Sequence, residues 1–157
     1  MSTAGTVLTA RVFSGCRAAG VATQAGVLLA TWSSTTVPRV FRGLAGYLGG
    51  RNRGRLPLIE FDIQTQRFAQ ETEQGGMLLS TVTLRCHVGG RDLETAGNLA
   101  EAILAAALAA IRSEAVDNYT AQGDDEIGPL QPGPLGHFRD ATMRFEHTFA
   151  RTSYEVT

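Results

Sequence analysis

Between Leu56 and Ile111 the apolar pattern changes its period once, and that change confines the chain to a mixed fold. Ile59, Phe61 and Ile63 alternate with Glu60, Asp62 and Gln64, the period of two expected of a strand with one buried face. Residues 69–76 (AQETEQGG) are polar and end in Gly-Gly, which reads as a hairpin tip. Beyond the tip, Leu78, Val82, Leu84, Cys86 and Val88 share one face, and Thr81, Thr83, Arg85 and His87 take the other. The two strands should therefore pair antiparallel. After Gly89-Gly90 the spacing becomes helical. Ala96, Leu99, Ala100, Ile103, Leu104, Ala107, Leu108 and Ile111 fall on one stripe. Asp92 suits the N-cap, Glu94 the first turn and Arg112 the last. Residues 102–111 (AILAAALAAI) hold no polar side chain. Either alanine is exposed at little cost there, or a neighbouring subunit covers that face.

The flanks are less strongly patterned. Met1 to Ser14 is small and weakly patterned. Ala18, Val21, Ala22, Ala25, Leu28, Leu29 and Trp32 follow an amphipathic helical spacing. Val37, Val40, Phe41, Leu44 and Leu48 suggest a second, shorter helix, with Pro38 in its first turn and Gly49-Gly50 at its end. Residues 118–139 contain Asp124-Asp125-Glu126 and three prolines, Pro129, Pro132 and Pro134. That density of proline reads as a long irregular loop. Met143, Phe145, His147 and Phe149 then alternate with Arg144, Glu146 and Thr148 in a closing strand over 142–152.

The expected fold class is α+β. N-terminal helices precede an antiparallel hairpin and sheet packed against one long helix, and a C-terminal strand completes the sheet. A length of 157 residues suits one domain, read as an N-terminal extension over 1–35, partly helical, and a single α+β domain over 36–157.

Net charge is −1, but its parts are segregated. Residues 1–55 hold seven Arg and no acid, and the remainder holds seven Arg and all fifteen acids, with no Lys anywhere. Such asymmetry points to a macromolecular partner or to self-association. The slightly acidic total disfavours a strongly basic nucleic-acid binder. Cys16 and Cys86 are too few for a secreted disulfide framework and are expected as free thiols. No apolar run approaches the ~20 residues of a membrane span, so the chain reads as soluble and intracellular.

Catalytic chemistry finds little support. Cys86 and His87 are adjacent in a strand and point to opposite faces. CxxC, HxxxH and HExxH are all absent from the sequence. His87, His137 and His147 are scattered and read as surface or cross-strand histidines. Asp124-Asp125-Glu126 suits either a hard cation or solvent. The missing lysine excludes a phosphate-binding Walker motif. No catalytic residue, metal site or cofactor is therefore expected. Arg51, Arg53 and Arg55 form the one dense basic cluster, suited to phosphate or to acidic side chains.

From Leu56 onward the chain resembles the tail terminator (tail completion) proteins of long-tailed bacteriophages. The resemblance rests on the Pro-apolar strand opening 56–61 (LPLIEF) and the hairpin tip 67–74 (RFAQETEQ). The return strand 79–85 (LSTVTLR), the helix from Asp92 to Ser113, the acidic loop with Asn118-Tyr119 and Gly123-Asp124-Asp125, and the strand 141–149 (ATMRFEHTF) continue it. It implies a structural virion protein without enzymatic activity. Such a protein caps the end of the tail tube as a ring, typically of six copies, stops tube polymerisation and offers the head-attachment surface. The implied partners are further copies of the chain, the tail tube protein and the head-tail connector or neck protein. DNA passes through the bore without sequence-specific binding, and no membrane is involved. The implied location is the head-proximal end of the tail in the virion, after synthesis in the host cytoplasm. The nearest alternative is a connector or neck (head completion) subunit. From another class, a small α+β ligand-binding protein or enzyme would place its pocket under residues 118–139. The expected ring, tube or connector contacts are Arg51, Arg53, Arg55, Arg67, Glu71, Glu73, Asp124, Asp125 and Glu126.

Overall fold

The computed structural model describes residues 8–12, 14–16, 40–42, 57–67, 75–89, 92–113, 119–133 and 136–150. It is an α+β fold, as the periodicity requires. The strands are β1 (Val40–Arg42), β2 (Leu58–Arg67), β3 (Gly75–Val88), β4 (Tyr119–Ile127), β5 (Gln131–Gly133) and β6 (Gly136–Ala150), and the long helix α1 (Leu93–Ser113) lies between β3 and β4 in sequence. One sheet runs β1-β2-β3-β6-β4, with β5 beside β4 on the same flank of β6. Only the β1–β2 pair is parallel.

The hairpin forms as its alternation demands. Ile59 faces Cys86, Phe61 faces Leu84 and Ile63 faces Val82. These apolar pairs line the face that α1 covers. The helix begins where Asp92 accepts hydrogen bonds from the Glu94 amide (3.1 Å) and the Thr95 hydroxyl (2.7 Å). Those bonds, the hydroxyl first, hold the Asp92 carboxyl below its ordinary range. Ala96, Ala100, Ile103, Leu104, Ala107, Leu108 and Ile111 are buried as the stripe predicts, while Leu99 is half-buried. At 21 residues α1 is, contrary to expectation, long and apolar enough to cross a membrane by length and composition. Its buried stripe against the sheet accounts for much of that apolar content.

Three expectations are corrected. First, residues 8–12 and 14–16, where the sequence is only weakly patterned, are helical, and Leu8, Val12 and Cys16 enter the same core as α1 and the sheet. Their i, i+4, i+8 spacing puts them on one helical face. Second, the helix expected over 37–48 gives way at Val40–Arg42 to β1, whose Val40 is buried opposite Ile59. A β-branched and an aromatic residue fit a ladder beside β2 better than an isolated turn of helix. Third, residues 118–139 are largely strand. Pro129 lies in the connection after β4, and Pro132 in the three-residue β5. Proline is tolerated on a short edge strand, where no outer neighbour needs its missing N–H. As a result β6 begins at Gly136 and runs inside the sheet, between β3 and β4. The helix expected over 18–32 lies outside the described residues.

The N-terminal helical residues approach α1 closely. A Cβ on Gly15 would stand 2.5 Å from Ile111 Cγ1 and 3.1 Å from the Ile111 backbone nitrogen. Gly15→Ala should therefore destabilise by about 1–3 kcal/mol through overpacking, read from a urea denaturation midpoint. An unchanged midpoint would show that this contact yields freely.

Candidate functional site

The sheet has two unlike faces. The face under α1 is apolar, and it also holds Arg139, which ties strands to helix. Arg139 Nε–H donates to the Gly128 carbonyl (2.7 Å), and its Nη1–H donates to the Gly97 carbonyl (3.2 Å) and to Glu101 Oε2 (3.3 Å). The opposite face carries polar and charged side chains in register. Asp62, Thr83 and Thr142 form one row across β2, β3 and β6, and Glu60, Arg85 and Asp140 another.

Within the second row Arg85 and Asp140 pair across strands through Nε–Oδ1 (2.8 Å) and Nη2–Oδ2 (3.1 Å). The Asp140 carboxylate raises the Arg85 pKa. The guanidinium also lies 4.3 Å from the centre of the Phe138 ring, a cation–π contact. Beside it sit Glu60 and His87, 0% and 1% exposed, with Glu60 Oε1 2.5 Å from His87 Nε2. This is an ion-pair contact when the imidazole is protonated, without the alignment of a hydrogen bond. Neither Glu60 Oε2 nor His87 Nδ1 has a hydrogen-bond partner among the described residues. The His87 ring tilts against Phe138, centroids 5.8 Å apart.

A carboxylate beside an imidazole is the raw material of general acid–base catalysis, but this pair is sealed from solvent. Sequence reasoning missed it by placing His87 at the surface or in an ordinary cross-strand contact. The signal was present: folding the hairpin symmetrically about residues 69–76 sets Glu60 opposite Arg85 and diagonal to His87. What alternation did not show is that this end of the polar face is buried.

The thiols are free and buried. Burial pushes Cys16 up to about 12, and burial together with the nearby Cys16 raises Cys86 further. Neither presents a reactive thiolate. His147 is shifted the other way, its pKa lowered by burial. Among the described residues no three His, Cys, Asp or Glu side chains converge as a metal set.

The expected contact residues are distributed unevenly. Arg51, Arg53, Arg55, Glu71 and Glu73 lie outside the described residues. Arg67 closes β2 opposite Leu78. Asp124, Asp125 and Glu126 do not belong to a loop; they lie on β4, at the sheet edge. There the strand register shifts between Gln122 and Glu126, and Gly123 adopts a φ of 67°, a bulge with the left-handed residue that glycine supplies. Asp124 and Glu126 are exposed. Asp125 is committed: Arg112 donates to it through Nε (2.8 Å) and Nη2 (2.7 Å), and to the Gly123 carbonyl (3.1 Å). The last turn of α1 thus clamps the bulge, and the Asp125 carboxylate raises the Arg112 pKa.

On α1, Ala102, Ala105 and Ala109 are exposed, while Ala106 and Ala110 are half-buried. The face presents methyl groups only, and Leu93 at the helix start is the one large apolar side chain exposed among the described residues. No protein-family model matches the chain, and no curated protein matches it.

Proposed function

We propose that this chain is a structural, ring-forming subunit that caps the tail tube of a long-tailed bacteriophage, stops its polymerisation and forms the surface for head attachment. The observation that carries the reading is the order and pairing of elements from Leu58 to Ala150. A long hairpin, a single long helix and a closing strand paired back on the hairpin follow the order of parts that the family resemblance implies, while strand β4 stands where the resemblance implies an acidic loop. The segregated charge of the chain supports it as well, because a ring needs two different faces of one subunit to meet. The sealing of Glu60 and His87 gives that pair a structural setting rather than a substrate-facing one.

Deletion of the gene in the parent phage, followed by electron microscopy of the lysate, tests the proposal. The expected result is tails of uncontrolled length, or tails unable to join heads. Normal tails beside heads that leak DNA would transfer the role to a neck subunit. Normal virions would sink both. Purified protein mixed with tail tubes should appear as rings at one tube end only.

A further inference from the structure

We infer that the N-terminal helical residues 8–12 and 14–16 act as a strap on the edge of the sheet, holding the bulge of β4 in place through the last turn of α1. The inference stands apart from the ring reading. It concerns how one end of the chain governs the edge strand, whatever that edge meets.

The bulge takes little support from the strand ladder. Gln122 pairs with Arg144 and Glu126 with Thr142, so Gly123, Asp124 and Asp125 stand opposite Met143 alone. What grips them is Arg112, whose guanidinium bonds both Asp125 oxygens and the Gly123 carbonyl. A planar fork engaged at several points tolerates little displacement. Its hold therefore depends on where the α1 backbone puts Arg112. That backbone is the last turn of a helix. The final carbonyls of a helix have no partner within it, and helix ends fray.

The strap supplies the missing partners. Arg11 donates to the carbonyls of Ile111 and of Arg112 itself. Gly15 sets its backbone against Ile111, with no room for a Cβ between them. Leu8, Val12 and Cys16 anchor the segment in the same core as Ile111. Arg112 is thus held by its carbonyl on one side and holds β4 with its side chain on the other. A second path runs beside this one. The Arg11 guanidinium lies over the Phe145 ring, and Phe145 is in register with Ala121 of β4, next to Gln122, where the register shifts. A bulge bends and twists its strand locally, so the strap sets the shape that this edge presents. Displacing the segment frees the last turn of α1, slackens Arg112 and releases residues 122–126.

Hydrogen exchange of the full chain, followed by mass spectrometry, tests the strap in R11M, D125A and the double variant R11M/D125A. R11M removes bonds to α1, yet the amides of residues 122–126 should exchange at least about fivefold faster. The rate is taken relative to the hairpin amides of 59–63 and 82–86, which report any loss of global stability. D125A should speed the same β4 amides directly. The double variant should gain much less than the product of the two single effects, because both act on one linkage. R11K, which keeps the charge without the fork, should accelerate the bulge less than R11M, and it carries the same comparison should R11M not fold. A last turn of α1 that loosens in R11M while the bulge exchanges as in the wild type overturns the strap. So does equal acceleration of bulge and hairpin, and so do single effects that multiply in the double variant.

Discussion

Replacing either partner of the Glu60–His87 contact alone should cost about 3–5 kcal/mol of unfolding free energy, whereas replacing both with apolar residues should cost far less. In His87→Leu the Glu60 carboxyl, 0% exposed, loses the imidazole beside it, and a buried polar group without a partner is among the costliest defects a fold can hold. Glu60→Leu strands the imidazole in the same way. In the double variant both desolvation penalties vanish, and two leucines extend the apolar environment that Leu58 and Phe138 already provide beside them. Urea denaturation of the four proteins at pH 7 closes a double-mutant cycle. A coupling energy near zero, with the two single costs adding in the double variant, would show that the pair does not act as a unit.

Arg11 should be the second position of large effect. It is 6% exposed, and its guanidinium closes the C-terminus of α1. Nε–H donates to the Ile111 carbonyl (2.6 Å) and Nη2–H to the Arg112 carbonyl (3.2 Å). The group also stands 5.3 Å from the centre of the Phe145 ring. The last carbonyls of a helix have no partner within it and form the negative end of its dipole, so a buried cation satisfies them in both respects. Arg11→Met keeps the stem and removes the head. Loss of two charge-assisted hydrogen bonds should cost about 3 kcal/mol. Arg11→Lys should recover only part of this, because an ammonium cannot present the planar fork that reaches both carbonyls. Faster amide exchange in the last turn of α1 should accompany the loss of stability. A Met variant within about 0.5 kcal/mol of wild type would mean that the carbonyls find other donors.

The elements that were legible in the sequence share a cause. Residues 59–64 and 82–88 alternate because one face of the hairpin is buried along most of its length. The stripe from Ala96 to Ile111 has period 3.6 because one side of α1 meets that face. Local pattern reports burial wherever burial is one-sided. Where burial followed another rule, the pattern failed. β1 spans three residues, too few for any period to be expressed. β4 and β5 resemble a loop because an edge strand tolerates glycine, proline and adjacent acids that a central strand excludes. Leu8 and Val12 carry little signal in sequence, because two apolar residues a turn apart mean little until another surface covers them.

The candidate interface divides in the same way. Composition alone revealed that basic and acidic residues are segregated along the chain. That Asp125 is neutralised by Arg112 while Asp124 and Glu126 stay exposed depends on a clamp between the end of α1 and a bulge in β4, two elements whose meeting no local pattern encodes.

The sequence by itself determined the α+β class, the antiparallel hairpin, the span and buried stripe of α1 and the separation of charge. All of these follow from short-range periodicity and residue counts. Only the tertiary structure decided that β6 lies between β3 and β4, that Arg11 caps a helix a hundred residues away and that Glu60 meets His87 out of reach of water. It also set β1 and β4 at opposite edges of one sheet. Strand order and burial are properties of segments brought together from distant parts of the chain, and a residue's own neighbours in sequence carry no record of which distant segment will cover it.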